Sequence, residues 1–205
     1  MKVLLINGSP NAKGSTFTAL SEVEKALNKE GIETEIIQVG HKDIRGCIGC
    51  RMCKKNGKCV FNDIVHKVQP KFEECDGIVI GSPVYYSSPN GTLISFLDRL
   101  FYSSTTDKTM KVGASVVSCR RAGNTATFDV LNKYFTISQM PIVSSRYWNM
   151  VHGNNASETI QDVEGMQTMR ILGKNMAFLI KAIALGKEQY GLPEKEQVTF
   201  TNFIR

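Results

Sequence analysis

Met1-Lys2-Val3-Leu4-Leu5-Ile6-Asn7-Gly8-Ser9-Pro10-Asn11-Ala12-Lys13-Gly14-Ser15-Thr16-Phe17 opens the chain and carries the first signal of its architecture. Lys2 to Asn7 is a short, almost continuous apolar run ending at Gly8. Such a run predicts a strand buried on both faces in a parallel sheet. Ser15 or Thr16 then caps a helix running to about Lys29, with Leu20, Val23 and Leu27 on one face and Gly31 as its stop. A phosphate in the turn between them would meet free amides at a helix N-terminus, where the dipole favours an anion. Ser9, Ser15 and Thr16 add hydroxyl donors, and Gly8 and Gly14 allow close backbone approach. The plain alternative is a strand–turn–helix connection with a serine cap. The turn lacks both the Walker spacing and Gly-x-Gly-x-x-Gly, which disfavours triphosphate hydrolysis and standard dinucleotide binding.

The same alternation continues along the chain. Thr34–Val39 reads as a second strand, followed by a loop broken by Gly46, Gly49 and Gly57. A helix starts at Asn62 or Asp63 and reaches about Glu74, with Pro70 placed to kink or shorten it. Gly77–Ile80 is a third strand. Ser88 caps the next helix with Pro89 at its first position and Leu93, Phe96, Leu97 and Leu100 inward. Val112–Val117 is a fourth strand, a helix spans about Thr125–Phe135, and Pro141–Ser145 is a fifth strand. Gly165 to about Leu185 is a long helix with Met166, Met169, Leu172, Met176, Leu179 and Ile183 on one stripe. This alternation predicts one α/β domain over 1–205, a parallel sheet covered on both faces. It carries a cysteine-rich loop at 46–60 and a tail at 191–205. Val198, Phe200, Phe203 and Ile204 make that tail too apolar to hang free, so it is expected to dock on the body or on a partner subunit.

The chain has 205 residues, 42% of them hydrophobic, enough for one sizeable core. The N-terminal apolar run is too short for a signal-peptide core, and no stretch approaches a membrane span. A cytoplasmic protein with no membrane partner is the expectation. The formal charge of +6 raises a nucleic-acid reading. No nucleic-acid motif accompanies the basic residues, so no such partner is expected.

Four of the six cysteines lie in Cys47-x2-Cys50-x2-Cys53-x5-Cys59. Three cysteines at three-residue steps in a glycine-containing loop can each reach a different iron of one cube. A structural zinc more often uses two Cys-x-x-Cys knuckles set further apart. The surrounding excess of Lys42, Arg45, Arg51, Lys54, Lys55 and Lys58 over Asp43 would offset the thiolate charge of either metal. A [4Fe–4S] cluster, an empty thiol loop and zinc all remain open. Cys75 reads as a core residue, Cys119 as a small strand-end hydrophobe, and His41, His66 and His152 show no ligand spacing.

Ligands in doubly wound sheets sit beyond the carboxyl ends of the strands. Strand three ends in Gly81-Ser82-Pro83-Val84-Tyr85-Tyr86-Ser87-Ser88-Pro89-Asn90-Gly91, whose tyrosines could line a flat aromatic ligand or form a packing pair. Strand four ends in Ser118-Cys119-Arg120-Arg121-Ala122-Gly123-Asn124, where the arginines could face an electron-rich ring edge or solvent. Ser9-Pro10 with Gly14-Ser15-Thr16, then Ser82-Pro83-Val84-Tyr85 and Asp98-Arg99, resembles the NADPH-dependent FMN reductase family. Within it, the cysteine segment and Gly165-Met166-Gln167-Thr168 resemble the iron–sulfur flavoproteins.

The resemblance implies a flavodoxin-like three-layer sandwich with strand order 2-1-3-4-5 and FMN as cofactor. It places Ser9, Asn11, Ser15, Thr16 and Phe17 around the phosphate, and Pro83, Val84, Tyr85, Tyr86 and Ser87 against the isoalloxazine. Arg120 is a further contact, although its loop differs from the glycine-rich form of the family. Cys47, Cys50, Cys53 and Cys59 match the [4Fe–4S] ligands. Tyr147-Trp148-Asn149 would reach the site from either subunit of a homodimer or homotetramer. The implied chemistry takes electrons from NAD(P)H to a small acceptor, quinone-like or similar, directly or through the cluster. The alternative is an electron carrier fed by ferredoxin, with no small substrate of its own.

Overall fold

β1 (Lys2–Asn7) is buried on both faces from Val3 onward, as a strand must be when helices cover both sides of it. The computed structural model describes residues 1–201, 203 and 204. β1 pairs in parallel with β2 (Glu33–Gln38) on one side and β3 (Gly77–Tyr85) on the other. β5 (Val112–Cys119) lies beside β3, and β6 (Met150–His152) beside β5. The order is β2-β1-β3-β5-β6. β4 (Ser88–Pro89) folds back antiparallel on the end of β3. The five parallel strands therefore take the expected 2-1-3-4-5 order, with the short β4 added.

Helices cover both faces. α1 (Ser15–Lys29) and α7 (Val163–Tyr190) pack Leu20, Val23, Met169 and Leu172 against Val3, Leu5 and Val79. α3 (Ile64–Glu74), α4 (Gly91–Ser103) and α5 (Asn124–Thr136) pack Phe72, Phe96, Leu97 and Phe135 against Leu4, Ile6 and Ile78. Two short helices, α2 (Met52–Asn56) and α6 (Ala156–Gln161), sit in the connections. Among the described residues no helix is long and apolar enough to cross a membrane.

Several boundaries differ from the sequence expectations, each for a local reason. Gly14, not Ser15 or Thr16, occupies the cap of α1. The Thr16 hydroxyl is instead taken by Ser118 across the sheet end, Oγ to Oγ at 2.7 Å. α4 starts after Asn90 rather than Ser88, because the Asn90 carboxamide accepts from Thr92 N at 3.0 Å. Ser88 and Pro89 complete a hairpin, a position that tolerates a residue with no N–H. α3 runs through Pro70 to Glu74, and the cysteine loop contains α2, entered through a left-handed Arg51.

The expected fifth strand at Pro141–Ser145 is the largest correction. Only a single bridge joins Ile142 to Gly113, with Val143 N donating to Gly113 O. The chain then leaves the edge of β5 and returns as β6, where Val117 N donates to Asn149 O. The excursion carries Tyr147 and Trp148, whose rings meet edge-on at 4.9 Å. The described tail residues run beside the segment 106–110 of the body. Val198, Phe200, Phe203 and Ile204 are exposed, although Lys195 Nζ reaches Asp107 at 2.6 Å.

Two glycines of α7 make a controlled comparison. A Cβ on Gly173 would sit 2.6 Å from Ala26 Cβ and 2.8 Å from the Val23 carbonyl, so α1 and α7 touch through that gap. A Cβ on Gly186 would meet nothing within 4 Å. Gly186→Ala is expected to stabilise by about 0.5–1 kcal/mol through helix propensity. Gly173→Ala is expected to destabilise by about 1–3 kcal/mol, since overpacking outweighs the same propensity gain. Urea unfolding of the two variants checks both signs.

Candidate functional site

Because the main strands run parallel, the turns leaving β1, β3, β5 and β6 open at one edge of the sheet. There they border a cleft of about 650 Å³, within the usual size of a small-molecule site. Ser9, Asn11, Ser15 and Thr16 line it from the first turn, Pro83, Val84 and Tyr85 from β3, Ser118 and Arg120 from β5.

The first turn of α1 opens onto this cleft. Among the described residues no side chain caps α1, and no acidic residue stands in its first turn. The amides of Ser15, Thr16 and Phe17 have no intrahelical acceptor at that position. The turn around them is already braced. Ser9 N donates to Asn7 Oδ1 at 3.1 Å, Asn11 N to Ser9 Oγ at 3.1 Å, and Gly14 N to Asn11 O at 3.2 Å. Gln38 Nε2 holds the Ser9 carbonyl at 2.6 Å.

The opposite wall is a strained hairpin. Tyr85 pairs with Ser88, leaving Tyr86 (φ 51°) and Ser87 (φ 58°) as a two-residue loop with both residues left-handed. Such turns match the strand twist but favour Asn-Gly, so each side chain here costs about 1–2 kcal/mol. Asn90 compensates at the base of the turn. Buried, it donates N–H to Ser82 Oγ at 3.0 Å and Nδ2–H to the carbonyls of Gly8 (2.7 Å) and Gly40 (3.4 Å). One residue, through its backbone and its side chain, thereby ties together β3 and the turns after β1 and β2. Gly123 (φ 86°) closes against the hairpin, since a Cβ there would lie 2.7 Å from Ser87 Oγ.

Cys47, Cys50, Cys53 and Cys59 all line a second, smaller pocket. Cys47 and Cys50 are exposed, Cys53 is buried and Cys59 half-buried. Among the described residues the cysteines form no ready metal cage. Cysteines bind metal as thiolates and release their protons when they do so. The donor set, four sulfurs on one pocket, fits an iron–sulfur cluster or a zinc ion in kind and number. Against this pocket lies Arg99, only 2% exposed, with Nε 3.2 Å from Cys59 Sγ. Burial disfavours its charge, but hydrogen bonds to Asp63 and Cys59 outweigh that and hold its pKa above the ordinary arginine value. His66 Nε2 contacts the Cys59 carbonyl.

The structure thus brings Ser9, Asn11, Ser15, Thr16, Pro83, Val84, Tyr85 and Arg120 to one cleft, and the four loop cysteines to another. Phe17, Tyr86 and Ser87 do not line the cleft. Phe17 belongs to the first turn of α1 and Tyr86 is fully exposed at the hairpin tip. Trp148 and Tyr147 are half-exposed and do not line it either. Gly153, Asn154, Asn155, Ala156 and Ser157 form a wall that sequence reasoning missed. Their signal was the Asn155 cap of α6, where the side chain accepts from Glu158 N at 3.0 Å. Ending the last strand at Ser145 hid it.

The family described as NADPH-dependent FMN reductase matches residues 1–155. An iron-sulfur flavoprotein of Methanocaldococcus jannaschii is 34% identical over 198 residues, covering 89% of this chain and 99% of that protein. Among solved structures, a flavodoxin from the domain Archaea superposes with a TM-score of 0.62 at 14% identity, over 88% of this chain and 99% of that one. An NAD(P)H:quinone oxidoreductase from Methanothermobacter marburgensis superposes with a TM-score of 0.66 at 13% identity, over 86% and 96%. These two likenesses show the flavodoxin-like fold.

Thiol reactivity checks the environments described above. Burial pushes the Cys75 thiol up to about 11, with the charge of Lys111 acting against it. The thiolate is the reactive form. In metal-free native protein at about pH 8, iodoacetamide should label exposed Cys47 and Cys50 first and Cys75 only after unfolding. A raised thiol pKa in the folded chain also sets a sign. Its stabilising contribution is present below about 9 and is lost as pH rises towards 11. Mass-spectrometric mapping against time reads the first effect, and urea unfolding across that alkaline window the second.

Proposed function

The chain belongs to the NADPH-dependent FMN reductase family and is a flavin oxidoreductase of that family, and we propose that it moves electrons from NAD(P)H through FMN to a small quinone-like acceptor, with a [4Fe–4S] cluster on the Cys47–Cys59 loop. The observation that carries the reading is the uncapped first turn of α1, facing Pro83–Tyr85 across one cleft. The amides of Ser15, Thr16 and Phe17, with the hydroxyls of Ser9 and Ser15, would hold the phosphate. Pro83, Val84 and Tyr85 would flank the ring, with Tyr86 and Ser87 shaping the turn above it. Arg120 brings positive charge to the cleft and favours negative charge there. When bound, FMN supplies hydride and single-electron chemistry that no side chain provides. The chain's own work is to bind, orient and shield; no side-chain acid or base is assigned.

Support for the cluster comes from the four sulfurs of one pocket and from the likeness to an iron-sulfur flavoprotein. Tyr86, Trp148 and the tail residues Val198, Phe200 and Phe203 are exposed in a lone subunit, which supports a homodimer or homotetramer as part of the reading.

Anaerobic purification followed by absorption spectroscopy and iron, sulfide, zinc and flavin analysis tests it. The expected preparation holds FMN with iron and sulfide, and NADPH or NADH bleaches its flavin. Zinc in place of iron and sulfide would overturn the cluster. A flavin left oxidised by both nicotinamides but reduced by a ferredoxin would replace the reductase reading with the electron carrier.

A further inference from the structure

α4 is an amphipathic helix whose inward positions are Leu93, Phe96, Leu97 and Leu100. Arg99, three residues after Phe96, falls on the same buried side. A guanidinium there is costly unless every N–H finds an acceptor. Here all of them do. Nη1 donates to Asp63 Oδ2 at 2.5 Å and to the Arg45 carbonyl at 3.1 Å. Nη2 donates to Asp63 Oδ1 at 2.9 Å and to the Phe61 carbonyl at 3.3 Å. Its face lies over the Phe61 ring at 5.1 Å. The remaining donor, Nε–H, points to Cys59 Sγ at 3.2 Å. Arg45 precedes the first loop cysteine, and Phe61 and Asp63 follow the last. One side chain of α4 therefore pins both ends of the cysteine loop and addresses one sulfur within it.

We propose that Arg99 is a positioning residue for the four-cysteine loop, and that its Nε–H···S bond to Cys59 raises the reduction potential of the cluster held there. This rests on the [4Fe–4S] reading above. The pairing with Asp63 offsets the guanidinium charge, so Cys59 faces mainly an oriented N–H donor. A thiolate bound to metal accepts that bond more strongly than a thiol does. One-electron reduction makes and breaks no bond and adds one negative charge to the cluster. A donor aimed at a ligand sulfur stabilises that charge, and hydrogen bonds to sulfur are one of the factors that set cluster potentials.

The test uses the full chain, purified anaerobically and reconstituted with iron and sulfide. Iron and sulfide per chain are measured first. The cluster midpoint potential is then read by dithionite titration with mediators, followed by EPR. Arg99→Lys keeps the charge but removes the planar fork, and should lower the potential while the cluster still binds. Asp63→Asn keeps the Nε–H···S bond and leaves the guanidinium charge unopposed, and should raise it. Opposite shifts are not what a merely structural role would give. Wild-type protein labelled with 15N-arginine covers the case of variants that do not fold. Pulsed EPR of its reduced cluster should detect a coupled arginine nitrogen. Loaded wild type with no such coupling, or a loaded Arg99→Lys variant at the wild-type potential, overturns the role of Arg99 and leaves the cluster reading standing. Wild type that takes up no iron and sulfide overturns both.

Discussion

Parallel strands cannot be joined by tight hairpins, so each must return through a crossover and release its carboxyl end at the same edge of the sheet. Every feature of the cleft follows from that constraint. The turns after β1, β3, β5 and β6 are far apart in sequence, yet they share one wall-to-wall space. The packing of two apolar layers holds the strands, and the strands hold the turns. The left-handed Tyr86 and Ser87 show the outcome. A conformation unfavourable in isolation persists because β3, Asn90 and Gly123 leave the hairpin little alternative.

α4 connects this cleft with the cysteine pocket. Its cap, Asn90, fastens the turns around the cleft, while Arg99 fastens the loop that carries the sulfurs. The two anchors are separated by about 13 Å along the axis, from a rise of roughly 1.5 Å per residue. A single rigid helix therefore sets the spacing between the two sites. Gln69 of α3 strengthens the second attachment, donating to Gly57 O at 2.7 Å and to Ser103 O at 3.4 Å.

Much of this was legible in the sequence because it is written in local patterns. The continuous apolar runs of β1 and β3 announced a doubly covered sheet, and the glycine–serine turn after β1 lies where the parallel strands open the cleft. The cysteine spacing was visible without any structure. What escaped was tertiary. Thr16 reads as a cap until Ser118 takes its hydroxyl. Pro141–Ser145 reads as a strand because Ile142 and Val143 are β-branched, but the edge of the sheet is met only at one bridge before Tyr147 and Trp148 lead the chain away. Arg99 was recognisable as part of a motif. Its burial, and its reach to Arg45, Cys59 and Asp63, depend on how α4 lies against a loop some forty residues earlier.

The proposed grip of the first turn of α1 on a phosphate is most directly measured by titrating flavin-free protein with FMN and with riboflavin, following quenching of flavin fluorescence. The two ligands share the ring and differ in the phosphate. Charge-assisted hydrogen bonds of about 1.5–3 kcal/mol each predict that FMN binds at least about 100-fold more tightly. Equal affinity for both would show that the amides of Ser15, Thr16 and Phe17 hold no phosphate, and would contradict the account.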